Sequence, residues 1–216
     1  MVERFHVKLD DMKEEVLKMG FLAEEMLEKS VIALKDQDPE LAEEIISKKE
    51  KIAALDFNIE KDVLRLVPLY QPMAKDMRTI ACILKMITYL TRIGRYGKDI
   101  AKVVPELIQE APLCKLVNIP YMAEIVGSMI HDALKAFETE DLTLIADFDE
   151  RDDKVDALRY SIFRECISYM TENPRNITQC AHYIMIARYL ERCADHACKI
   201  AEKIHYMVTG EHIEIG

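Results

Sequence analysis

Glycine and proline are scarce, six and seven among 216 residues, whereas Leu, Ile, Ala, Glu, Lys and Met abound. A chain so poor in turn formers is built from helices. No run of about 18 apolar residues occurs, so no membrane-spanning helix is expected, and the opening Met1-Val2-Glu3-Arg4-Phe5-His6 lacks the apolar core of a signal peptide. The expected compartment is the cytoplasm. The six cysteines (Cys82, Cys114, Cys166, Cys180, Cys193, Cys198) show no CxxC spacing and are read as reduced, buried thiols. Basic residues are outnumbered 29 to 39, giving a net charge of -10, so the broad positive footprint of a nucleic-acid binder is missing. Glycine-rich phosphate loops, nucleophile elbows and activated-cysteine motifs are also absent, and no catalysis is expected.

What is present is a hydrophobic half of the chain, enough for one large core or two modest ones. Phe5, Leu9, Met12, Val16, Met19, Ala23 and Met26 recur at alternating steps of four and three, the stripe of a long bundle helix. Asp38-Pro39-Glu40 then supplies an N-cap, a first-turn proline and an acid at the positive dipole end. A second helix follows with Leu41, Ile45, Ile52, Leu55, Ile59, Val63 and Leu66, ending at Pro68 and Pro72. The third is expected from about 74 to 104, the fourth over 121–138, the fifth over 141–171 and the sixth over 177–208. Three prolines between Pro105 and Pro120 mark a linker.

The halves are related. Ala33-Leu34-Lys35-Asp36-Gln37-Asp38 superposes on Ala136-Phe137-Glu138-Thr139-Glu140-Asp141 at an offset of 103, and Tyr89-Leu90-Thr91-Arg92 superposes on Tyr189-Leu190-Glu191-Arg192 at an offset of 100. The expected fold is all-α, two tandem three-helix bundles of six helices in total: residues 1–108, a linker over 109–120, and residues 121–216.

Helix five carries Asp149, Asp152 and Asp156 along one side, and Asp152 falls roughly 40° from Phe148, within the arc of Phe148, Val155, Ile162 and Cys166. In helix six Glu191 sits in the middle of the seam Cys180, Ile184, Ala187, Ala194, Cys198 and Ala201, with Asp195 one turn on. Inner carboxylates need a cation, a hydrogen-bond network or a shifted pKa. Asp152 with Asp156 and Glu191 with Asp195 on facing helices would offer oxygen ligands to a hard cation, and carboxylates alone do not separate iron, manganese, magnesium and calcium. Equally, Arg159, Arg188 or Arg192 would neutralise the same acids in salt bridges. Asp132 lies near the inner face of helix four and within reach of the same cavity.

The segment Gln71-Pro72-Met73-Ala74-Lys75-Asp76-Met77-Arg78 resembles the Gln-Pro-x-Ala-x-Asp-Leu-Arg segment of the PhoU family of phosphate-uptake regulators. Leu190-Glu191-Arg192-Cys193-Ala194-Asp195 is similar to that family's Leu-Glu-Arg-Ile-Gly-Asp signature, and Asp152-Asp153-Lys154-Val155-Asp156 to its Asp-x-x-Val-Asp element. The resemblance implies two three-helix bundles, clusters of iron or other metals on Asp/Glu-x-x-x-Asp motifs, and negative regulation of phosphate uptake. The partners it implies are the ATPase of a phosphate ABC transporter and a phosphate-responsive sensor kinase.

The departures from that pattern all lie in the first half. Under the repeat offsets, Asp152 becomes Lys49, Asp156 becomes Ala53, Glu191 becomes Thr91 and Asp195 becomes Arg95. A metal-type site is therefore expected in the second repeat alone, on Asp149, Asp152, Asp156, Glu191 and Asp195. Lys49 and Arg95 are expected to pair with neighbouring acids, with an anion as the alternative. Three function classes stand at this point: a regulatory adaptor, a carboxylate-bridged di-metal protein of ferritin type, and a metal-free helical scaffold. The second would need Glu-x-x-His motifs in core helices, and the spacing occurs once, from Glu3 to His6. An amphipathic bundle of this length also leaves an apolar face for a second copy, a homodimer.

Overall fold

A computed structural model describes residues 2–108 and 118–216, and most of the expected linker lies outside the described residues. The chain is all-α: α1 (Val2–Asp36), α2 (Pro39–Ser47), α3 (Lys49–Tyr70), α4 (Ala74–Leu107), α5 (Asn118–Thr139), α6 (Phe148–Glu172) and α7 (Ile177–Thr209), with 3-10 turns at Leu142–Ile145 and Pro174–Asn176. The Asp38 carboxylate accepts the backbone N–H groups of Glu40 and Leu41 at 2.9 and 3.0 Å, so two orphan donors of α2 are satisfied where the sequence placed the cap. Between α2 and α3 only Lys48 intervenes, still in the right-handed helical region, and the N–H of Ile52 reaches its carbonyl at 3.1 Å. The two are one rod bent at Lys48, which leaves six helices as expected.

Boundaries moved for local reasons. Both Pro68 and Pro105 lie in the last turns of their helices, where the missing N–H costs little, so α3 runs on to Tyr70 and α4 to Leu107. Gln71, at φ 49, ends α3. Asp141 spends its cap on the 3-10 turn, donated to by Thr143 N–H at 3.0 Å, and α6 starts at Phe148 rather than near 141. Helix α5 begins at Asn118, three residues before the expected start.

Helices α1, α2/α3 and α4 form one bundle, and α5, α6 and α7 the other. They share one continuous core, because α4 packs on α7 and α1 on α5. The side chains expose a pseudo-twofold at that junction. Tyr89 stacks on His196 (centroids 5.5 Å), His196 on Tyr96 (6.0 Å) and Tyr96 on Tyr189 (5.4 Å), an antiparallel ladder whose members are related in pairs by the offset of 100. Gly97 lets α4 close on α1: a Cβ there would stand 2.8 Å from the backbone of Met26. The first turns of α1 reach beyond the span matched by α5, and Phe5 packs against Tyr70 (5.6 Å) while His6 meets Asp76 (3.4 Å).

Candidate functional site

The acids singled out in α6 and α7 do gather on facing, antiparallel helices. In α6 the buried residues are Phe148, Val155, Ile162 and Cys166, the arc expected from periodicity, and Asp152 lies half-buried at its edge. In α7 Cys180, Ala187, Glu191, Ala194, Cys198 and Ala201 are buried and Ile184 is partly so.

The gathering splits into two groups. Towards the first turns of α6, Asp149, Asp152 and Asp195 surround the thiol of Cys198. Burial raises the Cys198 pKa, and Asp152, which accepts the thiol's hydrogen bond, raises it further, so Cys198 is a protonated donor and not a thiolate ligand. The Asp152 carboxyl is itself pushed up, first by burial and then by the charges of Asp195 and Asp156. One turn further along α6, Glu191 and Asp156 meet arginines. Arg188 Nη1 donates to Glu191 Oε1, and Arg159 Nε lies 3.9 Å both from that oxygen and from Asp156 Oδ1. Arg192 spans the groups, 2.8 Å from Asp195 Oδ2 and 3.8 Å from Glu191 Oε2.

The arginines do not settle every oxygen. Glu191 is 8% exposed, and its Oε2 is buried with no hydrogen-bond partner. Burial and Asp195 raise its pKa against the three guanidiniums. The donors, all carboxylate oxygens, are of the type a hard cation takes, and the orphan Oε2 is an atom such an ion would satisfy. Among the described residues no three His, Cys, Asp or Glu side chains converge as an ion-holding group. The fit is therefore one of chemistry and neighbourhood, with Arg159 and Arg192 standing between the acids.

Asp132 does not join the patch. It pairs with Arg151 Nη1 at 2.5 Å, which also holds Asp147 through Nε at 3.0 Å. A feature that sequence reasoning missed is the segment after α7, whose Gly216 N–H donates to Asp149 Oδ1 at 2.9 Å. Hydrophobic periodicity carries no signal for it.

In the first repeat the corresponding position is closed by packing. Ile52 of α3 seats on Gly94 of α4, where a Cβ would meet its Cδ1 at 2.3 Å. Lys49 and Arg95 flank that contact at its exposed edge, and among the described residues neither makes an ion pair, contrary to the expected salt bridges. The cations nearest in sequence behave otherwise: Lys48 takes Glu25 and Glu44 at 2.9 and 2.8 Å, and Lys98 takes Asp99 at 2.7 Å.

The segment 71–80 proves to be a joint. Gln71 closes α3 in the left-handed region, Asp76 meets His6, and Arg78 Nε donates to the carbonyl of Met207 at 3.3 Å, tying the first repeat to the end of α7. Five cysteines, Cys82, Cys166, Cys180, Cys193 and Cys198, are buried and unbridged, and Cys114 lies outside the described residues. No helix is long and apolar enough to cross a membrane among the described residues.

Comparison with known proteins adds to this geometry. The PhoU domain profile matches twice, over residues 16–104 and 119–204. A protein of Aquifex aeolicus named phosphate-specific transport system accessory protein PhoU homolog is 40% identical over 207 residues, 96% of this chain and 94% of its own length. A Caulobacter vibrioides protein of the same name is 35% identical over 98% of this chain and 93% of its own. The crystal structure of PhoU from Pseudomonas aeruginosa superposes with a TM-score of 0.91 at 33% identity, covering 96% of this chain and all of that one. That of the phosphate transport system regulatory protein PhoU from Streptococcus pneumoniae gives 0.90 at 29%.

Proposed function

The chain belongs to the PhoU family, and from that premise we propose that it is a non-catalytic accessory regulator of a phosphate-specific transport system, a helical adaptor that restrains uptake. The observation that carries this reading is that relatives bearing that name align along nearly all of this chain and nearly all of their own length. The proposed partners are the ATPase of the phosphate ABC transporter, met at the cytoplasmic face of the membrane, and a phosphate-responsive sensor kinase. Outward-facing apolar side chains support docking: Tyr160, Phe163 and Ile167 form an exposed stripe on α6, and at the offset of 103 Phe57 and Leu64 repeat two of its positions on α3. The same stripes offer a face to a second copy, and the mass of the protein in solution tests that homodimer.

The test of the regulatory reading is phosphate uptake in cells lacking the protein, together with capture of the ATPase by the purified chain. Faster uptake and capture are expected, and unchanged uptake without capture overturns it.

The adaptor is proposed to carry one hard cation, iron by family resemblance, on the second repeat. Asp149, Asp152 and Asp195 would supply the outer oxygens and Glu191 and Asp156 the inner ones, once Arg192 and Arg159 give way. Bound there, the ion would neutralise a patch whose like charges now oppose one another. The arginine pairs favour a second reading, a metal-free scaffold with salt-bridged acids. Elemental analysis of the protein purified without chelator or affinity metal, repeated on Asp152→Ala with Asp195→Ala, separates the two. Metal lost with the acids supports the site, and equal content in both preparations sinks it.

A further inference from the structure

Residues 211–216 do not trail from α7 as a frayed end. At Gly210, φ 81, the chain leaves the helix, and Glu211 N–H donates to Thr209 Oγ1 at 3.0 Å while its carbonyl lies 3.0 Å from His205 Nδ1. His212 lies flat on Tyr206, with ring centroids 4.1 Å apart at 9°. Ile215 is 6% exposed, and its N–H donates to Glu202 Oε1 at 3.2 Å. Glu202 is itself buried and held by Lys199 at 2.7 Å.

The strap then crosses from α7 to α6 and ends on the acidic patch. Gly216 N–H donates to Asp149 Oδ1 at 2.9 Å. Its backbone also presses on the next acid, because a Cβ on Gly216 would stand 3.0 Å from Asp152 Oδ2, and its φ of 89 suits a residue without one. Two of the five acids in the proposed metal site are therefore covered by one backbone segment, anchored a turn away by a buried isoleucine.

A cation and this strap compete for the same atoms. A metal ion on Asp149 or Asp152 needs an oxygen at about 2.0–2.6 Å and open space beside it. The amide hydrogen of Gly216 puts positive partial charge on one of those oxygens, and its backbone fills the space before the other. The buried Oε2 of Glu191, without a hydrogen-bond partner, marks the inner side of the same patch as unsatisfied while the strap is down.

We propose that residues 211–216 form a latch over the acidic patch, held by Ile215 and by the Gly216–Asp149 hydrogen bond, which a divalent cation must displace to bind. The latch rests on the metal reading above and adds its regulation: binding frees the strap, and whatever holds the strap down weakens the cation. Release also uncovers the seat of Ile215 beside Glu202, so a local charge change becomes a change in exposed apolar surface.

The test is titration of Mn2+ alone, by calorimetry, into the wild-type chain, Ile215→Asp and Gly216→Ala, with hydrogen exchange of residues 211–216 followed with and without the ion. Ile215→Asp removes the anchor, and Gly216→Ala sets a Cβ against Asp152 without touching the core. Both variants should bind Mn2+ about tenfold more tightly than wild type, as expected if the latched state outnumbers the open one by that factor. In the wild type, the Ile215 and Gly216 amides should lose protection when the ion is added. One Kd for all three chains with unchanged protection overturns the latch and leaves the metal site standing. No Mn2+ binding by any of the three, with circular dichroism showing each folded, overturns the metal reading and the latch with it.

Discussion

Asp152 carries an avoidable cost at neutral pH. Burial and the charges of Asp195 and Asp156 raise its pKa, so the folded chain holds that proton more tightly than the unfolded one. Stability contributed by the protonated form is complete below the ordinary Asp value and is lost as pH rises through the folded one. Asp152→Asn should therefore raise Tm at pH 7 by about 2 °C, the size of a fraction of a kcal/mol in a chain this long, and the gain should vanish near pH 3.8. Thermal melts of both chains across that range check it. His196 has the opposite sign. Burial, then Arg92, lowers it from 6.5 to about 4, so stability should fall as pH drops between those values, by up to about 3 kcal/mol. His196→Phe keeps a ring in the ladder without a titrating nitrogen, and denaturant melts should show its profile flattened over that window. The positions of both acids and histidine were readable in the sequence. Which neighbours would face them was not, because Arg92 and Asp195 reach these groups across turns and between helices.

Helix packing is set by a few close approaches. Gly97 allows α4 to rest on the backbone of α1 at Met26 and Leu27, and nothing there can rotate away as a side chain could. Gly97→Ala should cost about 2–3 kcal/mol, read from denaturant unfolding, because main chain must shift to admit the methyl. Gly94 faces only the flexible end of Ile52, and Gly94→Ala should cost less in the same measurement. At this scale heptad rhythm and caps predicted six helices, and their existence and type were right. The ends were not, since a proline in a last turn removes only one bond and a cap such as Asp141 serves a 3-10 turn as readily as an α-helix.

The two bundles are one unfolding unit as far as their contacts go, because a single core runs through both and Arg78 of the first repeat caps the last turn of the second. Arg78→Ala should lower stability by about 1–2 kcal/mol, the scale of a hydrogen bond from a charged donor, and calorimetry should still show a single transition. By itself the sequence determined the helices, the duplication, the buried face of each middle and last helix, and the loss of acids from the first repeat, because periodicity and internal alignment are local or one-dimensional properties. Tertiary structure alone decided how the surviving acids divide between Cys198 and three arginines, that Lys49 and Arg95 pair with no acid among the described residues, and that residues 211–216 return to cover Asp149 and Asp152. Those outcomes depend on distances between side chains far apart in the chain, which spacing along one helix does not encode.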